Sequence, residues 1–546
     1  MKGRISAVSF VTAMLLCGCL PALGEEVYEA WVVRYDSPLN DRDEPVGIAA
    51  DKDGNVFVIG NSWQGDNSND IVIVGYTIDG AEAWTDMVDG SAHFHDNAVS
   101  VKVDSKGYVY ATGELWLEPG DGPLDLNMVT IKYTNSGRIK WMKEYESQES
   151  DYNRVAGMVL DERDNIYVCG NTYKFSSGND NLVTIKYSPS GRVNWIRNLD
   201  YGNGSGEFPT AIATDGNARI CIAGQFTYPY PIYSIGCLAL AYDLDGNLLW
   251  ESIFDTSSSW IYYLSTAVID DSSNSIFSGL VQYDNNQIDY FTIKYNVSGD
   301  TVWTRFYNGT ADSNDHANGV VVDSGGNIYV TGVSRGVGTN DDCVTVKYSP
   351  TGEELWVQRF NGDLNAWDGG KAITLGPEGG IYVSGYTRTD TGEDFLTIKY
   401  SSSGEALWIK KFNGPDNLNE VVNAMTVDSD GNVFVTGRSL TFDTYQDFAT
   451  VKYSPCVASS PKAGDADSDD TLSIADVVAI AKHLFNKSDC GSDSLCWLSG
   501  RLCRGDWNGD EKITLGDIIQ AVNFVFDKPG DWEPVRSIGC CPYNWQ

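Results

Sequence analysis

Histidine is nearly missing from this 546-residue chain, which has four. With so few imidazoles, Ser-His-Asp and Cys-His centres have almost no material. Basic residues are short too: 38 Lys and Arg stand against 75 Asp and Glu, a formal net charge of −37. A nucleic-acid partner needs a basic footprint on phosphate, so this balance argues against one, and it disfavours an anionic membrane surface. Beyond the first residues, no apolar run approaches the ~20 that a membrane-spanning helix needs. Helical periodicity is hard to find anywhere before residue 470.

What is present is glycine (56), tyrosine (30) and tryptophan (16), a mix of turn and strand formers that suits an all-β protein. Tryptophans 31, 84, 141, 195, 250, 303, 356 and 408 recur every 52 to 57 residues, close to the period of propeller repeats. Each unit reads alike. A short tryptophan strand (Trp356 to Phe360) is followed by a polar loop and a small-apolar strand ending in Asp (Gly319 to Asp323). A glycine turn leads to an aromatic strand (Gly326 to Gly332), and a variable loop leads to a Lys-Tyr strand (Val344 to Tyr348). Alternation with period two marks these as strands, and Asp53-Gly54-Asn55 and Asp430-Gly431-Asn432 as tight hairpin turns. The aromatic strand and the Lys-Tyr strand each occur eight times. The last Lys-Tyr strand has no tryptophan strand after it, and the first tryptophan strand has no unit before it. The N-terminal strand is therefore expected to complete the last blade, leaving no open edge.

These units resemble the bacterial SBBP β-propeller repeat, with its Gly-Asn-aromatic strand and Lys-Tyr strand, over about residues 27 to 455. The turn Tyr187-Ser-Pro-Ser-Gly191-Arg-Val-Asn-Trp195 is similar to the tryptophan-docking turn of quinoprotein-like propellers. The resemblance implies an all-β, eight-bladed propeller of four-stranded blades and says little of activity.

Both ends of the chain carry further signals. Lys2 and Arg4, the apolar stretch Ile5 to Leu16 and Ala22-Leu23-Gly24 read as a signal peptide over residues 1–24. The rival reading is a lipoprotein signal with lipidated Cys19, so the protein is expected secreted or lipid-tethered. Cys456, Cys490, Cys496, Cys503, Cys540 and Cys541 crowd the C-terminal region, where disulfides staple small exported domains; six cysteines allow 15 pairings.

Within residues 456–546, Asp465, Asp467, Asp469, Ser473 and Asp476 fall at positions 1, 3, 5, 9 and 12 of a calcium loop, with the Thr471 carbonyl at position 7. Asp506, Asn508, Asp510, Thr514 and Asp517 repeat the spacing, with Lys512 at position 7. Leu472 and Ile513 share position 8, and a helical apolar stripe follows each loop (Val477 to Phe485, Ile518 to Phe526). Asp470 and Glu511 replace the usual glycine at position 6, which weakens the second loop more than the first. The paired loop-helix units, without a preceding helix, resemble a dockerin. That resemblance implies a small α-helical domain binding two Ca2+ ions and a cohesin-type partner, faced by Ile474, Ala475, Leu515 and Gly516.

Catalytic signals are sparse. His93-Phe94-His95-Asp96 is a cluster of metal-type ligands, weighed against a solvated loop because Asp315 and Asp368 recur at the same place. Asp51-Lys52-Asp53-Gly54-Asn55 and its relatives read as hairpin turns before calcium loops. A quinone cofactor would sit beside a vicinal disulfide, yet the adjacent pair Cys540-Cys541 lies in the tail. Trp63, Trp116, Tyr228, Tyr230, Trp260 and Trp367 lie in variable loops, placed to stack on sugars or simply to pack. The expectation is a secreted, non-catalytic binding or scaffold protein, with polysaccharide or a surface protein on the propeller and cohesin on the tail. The alternatives are a polysaccharide-degrading enzyme delivered by its dockerin, and a tail that only caps the propeller.

Overall fold

The computed structural model describes residues 27–455 except 66–67, 119–124, 148–151, 175–178, 203, 229–234, 255–260, 284 and 286. The signal region and the tail, including both calcium loops, lie outside the described residues.

The alternating sequence folds into antiparallel strands, and the single helical turn among the described residues is Pro377–Gly379. Third strands such as Asn69–Tyr76 are buried on both faces from Asp70 onward, whereas outer strands such as Glu82–Val88 are largely solvated. Among the described residues there are five four-stranded sheets and one twelve-stranded sheet. The large sheet is three four-stranded groups joined by single parallel bridges, Tyr152 to Leu126 and Asp180 to Gly206. The innermost strands, from Asp43–Ala50 onward, pack on one another in chain order, and the last, Glu420–Val427, returns to Asp43–Ala50. The result is an all-β, propeller-like ring that hides its sheet faces against each other.

The expected strand exchange is present. Val27–Tyr35 pairs antiparallel with Tyr445–Pro455 and completes the last sheet, with Val27 opposite Pro455 and Tyr35 opposite Phe448. Every innermost strand carries a bulge at the same place, as between Ala317 and Gly319. The aromatic strand has glycine opposite it for a steric reason. A Cβ on Gly332 would stand 1.9 Å from the His316 carbonyl oxygen.

The ring has two unlike faces. One holds the short turns, where each unit latches to the next. Trp303 Nε1 donates to the Pro350 carbonyl at 3.1 Å, and Lys294 Nζ donates to the same oxygen at 3.4 Å. Trp195 with Lys186 on Leu244, and Trp356 with Lys347 on Ser402, repeat the arrangement. The indole lies over the positive-φ glycine of that turn: a Cβ on Gly352 (φ 81°) would strike the Trp303 ring at 2.8 Å. The Asp-x-x-Gly-Asn sequences are turns here. Asp51 accepts hydrogen bonds from the Asp53 and Asn55 amides at 2.9 Å and from Asn55 Nδ2 at 2.8 Å, so its oxygens are occupied locally. The other face carries the variable loops and the connections between units. Cys169, Cys221, Cys237 and Cys343 are free and buried, and among the described residues no helix is long and apolar enough to cross a membrane.

Candidate functional site

At the loop face, most innermost strands open on a polar residue that the fold buries. Asp43, Asp96, Glu207, Asp315, Asp368 and Glu420 occupy this place and are essentially inaccessible to solvent. Each carboxylate closes the connection that precedes it. The amides of Ser37, Gly90, Gly309 and Gly362, each six residues upstream, donate to Asp43, Asp96, Asp315 and Asp368 at 2.6–2.7 Å. These bonds hold the loops but do not balance the loss of water. Burial pushes Asp96, Glu207 and Glu420 up to about 7 and Asp43 up to about 6, against the backbone donors.

A second carboxylate faces most of these from the third strand of the preceding unit: Asp70, Asp289, Asp342, Asp394 or Asp447. Two buried acids side by side need a counter-charge or a donor. Arg359 Nη1 lies 2.8 Å from Asp342 Oδ2, and Arg34 Nη1 lies 3.9 Å from Asp447 Oδ2. Lys411 draws on Asp394 from the same repeat position, three residues after the tryptophan. At another junction, the Tyr283 hydroxyl donates to Asp289 at 2.9 Å. The junction of Asp70 and Asp96 has Met87 at that position and none of these arrangements.

A cleft of about 480 Å³ opens on the same face where the ring closes, lined among others by Arg42, Glu44, Trp63, Glu393, Arg438 and Tyr445. Its rim mixes aromatic faces with paired charges. Glu44 lies 3.8 Å from Arg438. The Arg42 guanidinium sits 5.2 Å from the Tyr445 ring centre and donates to its hydroxyl at 3.3 Å. Tyr445 is half exposed and held at φ 69°, a left-handed conformation that a bulky residue enters only at a cost. Two aromatic rings flanked by fixed charges can stack on a sugar ring and hydrogen-bond its hydroxyls.

The loop residues named from sequence separate. Trp63 lines this cleft, its ring 5.8 Å from that of His95. Trp116 packs edge-on to Tyr152, Tyr228 packs on Phe226, and Trp367 is half exposed. Tyr230 and Trp260 lie outside the described residues. So do all of the calcium-loop positions (465, 467, 469, 471, 473, 476, 506, 508, 510, 512, 514, 517) and the partner-facing positions 474, 475, 515 and 516. In the cluster His93 to Asp96, sequence expects a solvated loop. Phe94 is exposed, and so is the side chain of His93, whereas Asp96 is fully buried and accepts from the Gly90 and Trp116 amides at 2.6 and 2.8 Å. The cleft residues Glu44, Arg42, Arg438 and Tyr445 carry no local sequence signal, because strands from opposite ends of the chain assemble them.

Comparison with known proteins gives the following. The β-propeller repeat SBBP matches residues 39–67. An uncharacterized WD repeat-containing protein, L264, of Acanthamoeba polyphaga mimivirus is 21% identical over 371 residues, covering 56% of this chain and 26% of the relative's length. Among solved structures, the β-propeller domain of the trilobed protease from Pyrococcus furiosus is 10% identical, covering 78% of this chain and 94% of that one, with a TM-score of 0.37. The polysaccharide lyase Uly1 is also 10% identical, covering 78% and 99%, with a TM-score of 0.41. Drosophila Plexin A in complex with Semaphorin 1b is 8% identical, covering 80% and 89%, with a TM-score of 0.37. The chain is an all-β, propeller-like protein of four-stranded sheets, with an SBBP-type β-propeller repeat at residues 39–67.

Proposed function

We propose that this chain is an exported, non-catalytic binding protein: an eight-bladed propeller that presents its loop-face cleft to a polysaccharide, with a dockerin-like tail that binds two Ca2+ ions and a cohesin-type partner. The observation that carries the ligand reading is the cleft at the ring closure, where Trp63 and Tyr445 flank the Glu44–Arg438 pair. The eight-blade count rests on the strand pairing, five four-stranded sheets and three four-stranded groups in the sixth. Export, by a signal peptide over residues 1–24 or a lipid on Cys19, agrees with the tail's cysteines.

The test is a panel of soluble polysaccharides titrated against the full chain. Binding is expected for at least one, and Trp63→Ala with Tyr445→Ala is expected to weaken it at least tenfold. Release of reducing or unsaturated ends would instead establish the enzyme reading, for which Glu44 and Glu393 in the cleft are the carboxylates to replace. For the tail, Asp465→Ala with Asp506→Ala is expected to remove the calcium response of the Trp497, Trp507 and Trp532 fluorescence and the capture of a cohesin module. Calcium binding without cohesin capture would leave the tail as a cap.

A further inference from the structure

We infer that the junction between the sheet starting at Asp43–Ala50 and the unit starting at Asn97–Val103 is a binding site for one calcium ion, with Asp70, Asp89 and Asp96 as its ligands. It is separate from both tail loops and does not depend on the cleft's ligand.

One carboxylate oxygen from each of the three residues lies within 4.8 Å of the other two. Calcium–oxygen bonds are about 2.3–2.6 Å long, so three oxygens this close can converge on a single ion with small side-chain adjustments. The donors are all oxygens, which suits a hard cation over zinc or copper. Asp96 is positioned by the Gly90 and Trp116 amides, and each of its oxygens keeps a lone pair beyond those bonds.

The second observation is Asp70. Its residue is 6% exposed, yet among the described residues its carboxylate accepts no hydrogen bond and pairs with no cation, and it is turned towards Asp89 and Asp96. A largely buried carboxylate without a hydrogen bond is costly, and the two carboxylates beside it add to the cost, which the charge of His93 offsets in part. The remaining nearby group is His93, on the solvent side, whose Nδ1 lies 2.5 Å from Asp89 Oδ2.

Equivalent junctions show what is missing here. Three residues after the tryptophan, where Arg34, Arg359 and Lys411 bring a positive charge to their acids, this junction has Met87. Five residues after the tryptophan it has Asp89, an acid as in Asp36, Glu146, Asp200 and Asp255, where Asn308, Asn361 and Asn413 are neutral. The arginine or lysine is gone, the acid five residues on is kept, and the cationic group that faces both Asp70 and Asp89 is His93 on the solvent side. The junction of Asp36, Asp43 and Asp447 groups its acids equally closely, but Arg34 already serves it.

The test uses the full chain carrying Asp465→Ala and Asp506→Ala, freed of metal by a chelator and titrated with CaCl2 in a calorimeter. One calcium per chain is expected to remain, and Asp70→Asn with Asp89→Asn is expected to remove it. These replacements suit the fold, because asparagine already occupies the first position at Asn127 and Asn181 and the second at Asn308, Asn361 and Asn413. Urea unfolding in chelator confirms that the variant is folded. Met87→Arg is expected to weaken calcium at least tenfold and to raise stability in chelator, as a guanidinium takes the cation's place. No heat up to millimolar calcium, or binding that survives Asp70→Asn with Asp89→Asn, overturns the site. Failure of the tail reading shows separately, as equal calcium counts with and without the tail substitutions.

Discussion

On the turn face, six indoles among the described residues donate to a carbonyl of the following unit, Trp250 being an exception, and buried lysines reach several of the same oxygens. On the loop face, the acids at equivalent junctions are balanced by arginine, lysine, a tyrosine hydroxyl or none of these. The same strands run between the two faces, so the difference is not one of backbone. Uniformity marks the residues that hold units together, and departures from it mark positions released from that task. The motif residues that make the repeat recognisable are therefore poor places to look for a site, and Met87 and Tyr445 are better ones.

The sharpest way to break this contrast is to cut a latch. Trp303, 6% exposed, is expected to cost about 3–5 kcal/mol when changed to alanine, because the cavity opens between two units. A loss below about 1 kcal/mol in urea unfolding would deny the turn face its structural role. Lys294→Met comes next. Its Nζ lies 2.8 Å from Asp270 with both side chains buried. Breaking such a pair costs about 3–5 kcal/mol, and the low end is expected because Asn274 still donates to Asp270. Adding Asp270→Asn should restore part of that loss.

The loop face responds to pH instead. Burial holds Glu207 up at about 7, with only Ser205 and a backbone amide opposing it, whereas an unfolded glutamate titrates near 4.3. As pH rises, the unfolded chain gives up its proton first. The contribution of neutral Glu207 is thus whole below about pH 4 and is lost as pH passes through 7. Glu207→Gln should melt with the wild type at pH 4 and a few degrees above it at pH 8; parallel curves would refute this. The smallest change in stability is expected from Tyr445→Gly, which relieves a left-handed backbone but loses the contact with Arg42, for a net effect within about 1 kcal/mol. The same substitution should weaken polysaccharide binding severalfold, separating what the residue does for the ligand from what it does for the fold.

Much of the architecture is legible because its signals are local. Period-two alternation, Gly-Asn turns and a tryptophan every 52 to 57 residues define the strands, and the unmatched strand at each end foretells the Val27–Tyr35 exchange. The loop face is less legible because its partners are distant. Asp96 sits beside two histidines in a polar segment, and nothing nearby announces that Trp116, 20 residues on, will donate to it inside the protein. The clue was the recurrence of Asp315 and Asp368 at the same offset, a sign of burial that reads equally well as a solvated habit. The cleft is harder still, since Arg42 and Tyr445 meet across 403 residues.

The pairing of Val27 with Pro455 has a mechanical consequence. The chain enters and leaves the ring side by side, at the same end of one antiparallel ladder. A pull applied between the segments preceding Val27 and following Pro455 would peel that ladder from its end, one rung after another, rather than shear all rungs together. The rest of the ring hangs beside the line of force like a pendant, unloaded until the exchanged strand has come away.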